Sequence, residues 1–171
     1  MKRVFLKFKQ LSLALVCSTA LICTAYAQKK EVRMLFVGDI MLDELPGKVI
    51  AKGNNPFAAF HKQFKQADLS FGNLECVVGF AGKKEDKPFT FLAHPRVLKT
   101  LKSHFSAVSV ANNHSGDFGP KAFETMLGLL ERAKIPYFGG GRDLRSAHAP
   151  YVVETNGHKI AVLGSDNFLP R

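Results

Sequence analysis

FSAVSVANNHSGDFGP, residues 105–120, decides how the rest of the chain is read. Phe105 to Ala111 is a compact apolar run rich in strand formers, and it breaks at once on Asn112-Asn113-His114. Gly119-Pro120 then opens a helix that carries Phe123, Leu127 and Leu130 on one stripe. An apolar strand, a polar break and an amphipathic helix make up one unit of an α/β fold.

The same unit recurs on either side. Upstream, Val32 to Val37 is a strand ended by Gly38-Asp39, and Asn55-Pro56 caps a helix with Phe57, Phe60 and Phe64 inward. Leu69 to Glu75 is a second strand running into a turn, Gly79 to Lys87 an exposed loop, and Pro95 opens a helix with Val97, Leu98 and Leu101 on one face. Downstream, Ile135 to Phe138 is a short strand closed by Gly139-Gly140-Gly141. Asn156-Gly157, between Tyr151–Glu154 and Lys159–Leu163, marks a β-hairpin with a type I′ turn. Alternating strands and helices predict a parallel sheet.

In such a sheet the carboxyl ends of the strands share one edge, and ligands bind there. Three strand ends carry small and polar residues: Gly38-Asp39, Gly72-Asn73-Leu74-Glu75 and Ala111-Asn112-Asn113-His114. Carboxylates, an amide oxygen and an imidazole form a ligand set suited to Mn²⁺, Fe or Zn²⁺. Each piece also has a plainer reading: Gly-Asp as a turn, Glu75 as a surface acid, the asparagines as turn caps, His114 on a backbone carbonyl. Asp117 is placed either to orient His114 by a hydrogen bond or to turn the chain before Pro120. Cys76 reads as a small buried residue, and the Gly139–Gly141 run as a connecting loop, because no Lys-Ser or Lys-Thr follows it.

The first residues read as a leader. Lys2, Arg3, Lys7 and Lys9 precede an apolar run from Leu11 to about Ala25, and Ala25-Tyr26-Ala27 is a small-x-small cleavage site. The expectation is a signal peptide over residues 1–27, a domain over 28–171, and an exported, periplasmic or extracellular protein of the cell envelope. Membrane attachment would come through this segment alone, if it stayed uncleaved. The formal charge of +10 falls to +6 without its four basic residues. The remaining lysines are spread out, with no tight arginine cluster, which argues against nucleic acid as a partner. The charge suits an anionic polymer or surface. Fifteen phenylalanines point to a packed globular domain. Cys76 alone remains of three cysteines, so no internal disulfide is expected.

LFVGDIML, ADLSFGNLE and AVSVANNHSGDFG, in this order and spacing, resemble the CapA family of capsule and poly-γ-glutamate biosynthesis proteins. The stretch from Gly128 to Gly164 is similar to that family's next segment. The family is related to calcineurin-like metallophosphoesterases, and the resemblance implies a layered β-sandwich flanked by helices. It further implies metal ligands at Asp39, Glu75 and Asn113, and His114 as a catalytic acid near the leaving group. Asn73, Asn112 and Asp117 would support these from behind. The implied cofactor is a divalent metal, and the implied partner an anionic cell-envelope polymer or its synthesis machinery.

The sequence departs from the phosphoesterase pattern in two places. Asp39 is followed by Ile40-Met41 where an Asp-x-His pair would stand, and the second segment reads GNLE in place of GDxxD. The family's C-terminal histidines fall beyond residue 171, since His148 and His158 sit in a loop and at a hairpin turn. The expectation is therefore a fold incomplete at its C-terminus, with one apolar sheet face left uncovered.

Overall fold

The computed structural model describes residues 30–167, so the leader read over residues 1–27 lies outside the described residues. The first strand, β1 (Met34–Asp39), leads to helix α1 (Glu44–Ala51). A 3₁₀ turn (Ala58–Phe60) and α2 (His61–Gln66) follow, then β2 (Leu69–Asn73). Two short strands, β3 (Val77–Val78) and β4 (Leu92–Ala93), pair in parallel beside the main sheet. A second 3₁₀ turn (Pro95–Val97) runs into α3 (Leu98–His104), followed by β5 (Ala107–Ser109) and α4 (Pro120–Ala133). The rest is β6 (Tyr137–Phe138), α5 (Leu144–Ala147) and the hairpin β7 (Tyr151–Thr155) and β8 (His158–Val162).

The main sheet has four parallel strands in the order β1-β2-β5-β6, as the strand–helix alternation predicts. Side chains alternate across it, because successive Cβ atoms point to opposite faces. Val108 and Tyr137 face a core built with Leu101 of α3, Met126, Leu127 and Leu130 of α4, and Ile50, Phe57 and Phe64. Ala107 and Phe138, with Leu69 and Phe71, face the opposite way, onto Tyr151, Val153, Ile160 and Val162 of the hairpin. The layers are helices, parallel sheet and hairpin, a mixed α/β architecture of the layered, helix-flanked kind expected.

The hairpin corrects one expectation. The second sheet face is not bare: β7 and β8 turn their alternate residues onto it, and Tyr151 meets Phe71 edge to face at 6.3 Å. What stays exposed is its β1 margin, with Phe36 at 62%, and the outward side of the hairpin, with Val152 and Leu163. Asn156 and Gly157 have φ of 50° and 78°, the double positive φ that a type I′ turn demands.

Other differences have local causes. Helix α1 has no clear signature in the sequence, since Pro46 and Gly47 lie inside it; Asp43 caps it through Glu44 N–H. The segment after Pro56 begins as a 3₁₀ turn, which swings Phe60 to the surface at 54% exposure and leaves Phe57 and Phe64 inward. In α4, Met126 is fully buried, while Phe123 lies at the margin of the core. A reciprocal capping box between Asp143 and Ser146 holds α5.

Candidate functional site

Register brings the strand ends together. Asp39 lies opposite Asn73, and Asn73 opposite Ser109, so β1, β2 and β5 finish side by side on one edge. The Asn73 amide donates to Asp39 Oδ1 at 2.9 Å and accepts from Asn112 Nδ2 at 2.9 Å. Asn112 also donates to the Leu74 carbonyl, and its Oδ1 accepts from His114 N–H at 3.0 Å and from the Ser115 hydroxyl. The two amides thus bridge three strand ends and fix the turn that carries His114.

The imidazole is held on both sides. Its Nδ1 lies 2.9 Å from Asp117 Oδ2, and its Nε2 lies 3.6 Å from Glu75 Oε1. An ionised carboxylate only accepts, so the Asp117 contact places a proton on Nδ1 and turns Nε2 to Glu75. The Phe91 ring packs on the imidazole, centroids 4.7 Å apart. Asp117 is fully buried, and its carboxylate also takes Phe91 N–H at 2.8 Å and the Lys87 ammonium.

Glu75 and Asp39 form an unequal pair. Burial, then the Asp39 carboxyl beside it, pushes Glu75 up to about 7, against the opposing pull of His114. Asp39 is lowered, chiefly by its contact with Glu75 and then by the Asn73 amide. The two carboxyls share a proton near neutrality and titrate as a unit.

Asp39, Asn73, Glu75, Asn112, His114 and Asp117 therefore form one connected chain of contacts. The Asn113 side chain is not drawn into it: Asn113 is exposed, and its backbone carbonyl is the atom engaged, accepting from Lys87 Nζ at 2.7 Å. A cleft of about 900 Å³ opens beside His114 and Asn113, walled by Lys87, Phe89, Pro120 and Phe123; Asp39 and Glu75 lie outside its lining. Among the described residues, no group of three His, Cys, Asp or Glu side chains is arranged to hold an ion. Cys76 is buried, and desolvation pushes its thiol up to about 12, which makes it inert packing. His148 is exposed, and His158 is half-buried in the hairpin.

Lys87 and Phe91 carry no signal in the sequence. Lys87 falls in the run expected as an exposed loop, one lysine among several charges, yet its side chain is 19% exposed and bonded on two sides. Nothing local distinguishes it from Lys83 and Lys84, because its partners come from a segment 26–30 positions away.

A parallel sheet with helices on one face, a β layer on the other, and acids, amides and an imidazole at its carboxyl edge defines a metallophosphoesterase-like domain. The chain belongs to the bacterial capsule synthesis protein family PGA_cap, which matches residues 33–169. It is 25% identical over 146 residues to the capsule biosynthesis protein CapA of Bacillus anthracis, covering 81% of this chain and 36% of that protein. It is 30% identical over 135 residues to the PGA biosynthesis protein CapA of Bacillus subtilis, covering 75% and 36%. A probable polyglutamine synthesis accessory protein of Mycobacterium tuberculosis is 31% identical over 102 residues, covering 57% and 26%. The matched part is about a third of the length of these curated relatives.

Proposed function

We propose that the chain acts in the making or export of an anionic capsule polymer, poly-γ-glutamate or a chemical relative, as an exported protein with a hydrolytic centre at the sheet edge. The carrying observation is the Glu75–Asp39 carboxyl pair facing the Nε2 of an imidazole that Asp117 anchors. A divalent cation, Mn²⁺, Zn²⁺ or Fe, fits this donor set: two carboxyls that now share a proton would share the ion instead. Asp39 and Glu75 would hold it, with further donors from outside the pair, Asn113 being the one the resemblance names. When bound, the ion would polarise an ester or acyl group and activate water. His114 would hold a proton at Nε2 for the leaving group, and the Asn73–Asn112 bridge would keep the strand ends in register.

The test is a titration of Glu75 by carboxyl-detected NMR with and without Mg²⁺ or Zn²⁺ (as diamagnetic probes), beside hydrolysis of p-nitrophenyl phosphate. The ion is expected to bind weakly and to draw the Glu75 midpoint well below 7. A midpoint that saturating cation leaves in place would overturn the metal reading. Tight stoichiometric binding with brisk turnover would overturn the need for further donors.

A second reading, a polymer-binding component without catalysis, is favoured by one observation. The outward side of α1 to α3 is basic: Lys48, Lys52, Lys62, Lys65, Lys99 and Lys102 are all exposed. Glu44 is the one acid in residues 44–66, and residues 95–104 hold none. The helices adjoin, since Phe57 and Phe64 pack on His104 and Phe105, and α1 packs on the 3₁₀ turn at Pro95. A linear polycarboxylate would be attracted there. The cleft mouth, with Glu85, Asp86 and Asp166, would repel it.

A further inference from the structure

We propose that Lys87 is a positioning residue for His114, acting through the buried carboxylate of Asp117. The strap of chain from Glu85 to Phe91 has no regular secondary structure, yet it is fastened at successive points to the turn that carries His114. Glu85 N–H donates to the Asp117 carbonyl at 2.8 Å, and Phe91 N–H donates to Asp117 Oδ2 at 2.8 Å. Between them, Lys87 reaches inward, pairing with Asp117 Oδ1 and donating to the Asn113 carbonyl at 2.7 Å. Gly82 lets the strap start close in: a Cβ there would stand 2.6 Å from the Phe118 carbonyl oxygen.

Asp117 is at 0% exposure, so its charge must be met by neighbours. Its donors are Phe91 N–H, His114 Nδ1 and Lys87 Nζ, and Lys87 is the one that brings a full opposite charge. With Lys87 on Oδ1, Oδ2 is left to His114 and Phe91. The carboxylate is then fixed in plane, and the imidazole keeps its proton on Nδ1 and its Nε2 toward Glu75. The same ammonium ties down Asn113, the residue before His114, so Lys87 sets both the ring's partner and the backbone that carries the ring.

The consequence for chemistry rests on reading His114 as the working imidazole; the positioning itself does not. The test uses ¹⁵N-histidine NMR on the chain in the presence of a chelator, with His114 assigned through His114→Gln. In the wild type, His114 should show a protonated Nδ1 and an unprotonated Nε2 above neutral pH, with slow exchange of the Nδ1 proton. Lys87→Met should mix the tautomers and speed that exchange by roughly tenfold or more, as local opening becomes easier. Lys87→Arg, which can still pair with Asp117, should restore the wild-type pattern. An unchanged His114 signal in folded Lys87→Met would overturn the proposal. Should Lys87→Met fail to fold, the Lys87 ammonium in the wild type decides. A slowly exchanging NζH₃⁺ signal supports the anchor, and exchange as fast as that of a surface lysine refutes it. The chelated sample keeps this outcome separate from the cation titration of Glu75.

Discussion

The carboxyl edge of the parallel sheet and the outward side of α1–α3 carry charge in opposite ways. At the edge, Asp39, Glu75, His114, Asp117 and Lys87 are joined by contacts, and the burial of Asp117 makes each partner costly to remove. On the helical side the lysines stand in water, and their attraction for anything depends on their number. The first region has fixed geometry; the second has only a field. The fold separates them by placing the carboxyls and imidazole where strands end and the lysines where helices face out.

The comparison breaks most visibly if Asp117 proves dispensable. Asp117→Ala should cost about 3–5 kcal/mol, because it leaves Lys87 without its buried counter-charge, and it should free the His114 ring. Urea denaturation with a parallel His114 spectrum would measure this. A loss under about 1 kcal/mol, the range of exposed pairs, would erase the energetic contrast between the regions.

Next in size is the pH dependence of the edge. The Glu75 carboxyl is raised from 4.5 to about 7, so between these values the folded protein holds a proton that the unfolded chain has released. Stability should therefore fall as pH rises through that window, and Glu75→Gln should flatten the slope. Lowered Asp39 acts with the opposite sign, its stabilisation being lost as pH falls below its ordinary 3.8. Melting temperatures from pH 4 to 8 for wild type and Glu75→Gln test this, and identical slopes would mean the carboxyl pair is not coupled.

A sharper separation comes from reversing the flank. Lys62, Lys65, Lys99 and Lys102 changed together to Glu should weaken poly-γ-glutamate binding by about tenfold or more at low salt and remove its salt dependence. The edge titration should stay where it was. If binding survived and the Glu75 midpoint moved, the regions would be one electrostatic unit. Smallest of all, Lys62→Ala should shift stability by no more than about 0.5 kcal/mol, since an exposed lysine has nothing fixed to lose. A larger change in its urea midpoint would show that the flank is built and not merely charged.

Much of the fold, and the make-up of the edge, is legible in the amino-acid sequence. The strands at 34–39, 69–73 and 107–109, the helix after Pro120 and the Asn156-Gly157 turn follow from local pattern and backbone preference. That Asp39, Glu75 and His114 belong to one edge also follows, because parallel strands put their carboxyl ends on the same side. The family's motifs at these strand ends point the same way, and the match over residues 33–169 agrees with them.

Other features come from contacts across the chain. Helix α1 hides behind Pro46 and Gly47, and its stability comes from Ile50 packing into the core rather than from helix propensity. The hairpin's place over Leu69 and Phe71 depends on matching two apolar faces far apart in sequence. Lys87 shares its stretch with Lys83, Lys84 and Arg96, and nothing in the residue types sets it apart from them. Its place against Asp117 and Asn113 is set by the fold of the strap, since burial of a charge is a property of surroundings and no residue type announces it. The elements and the edge were thus determined locally, by periodicity and chain direction. The proton shared by Glu75 and Asp39 and the anchoring of His114 required three dimensions, because desolvation and pairing act through space.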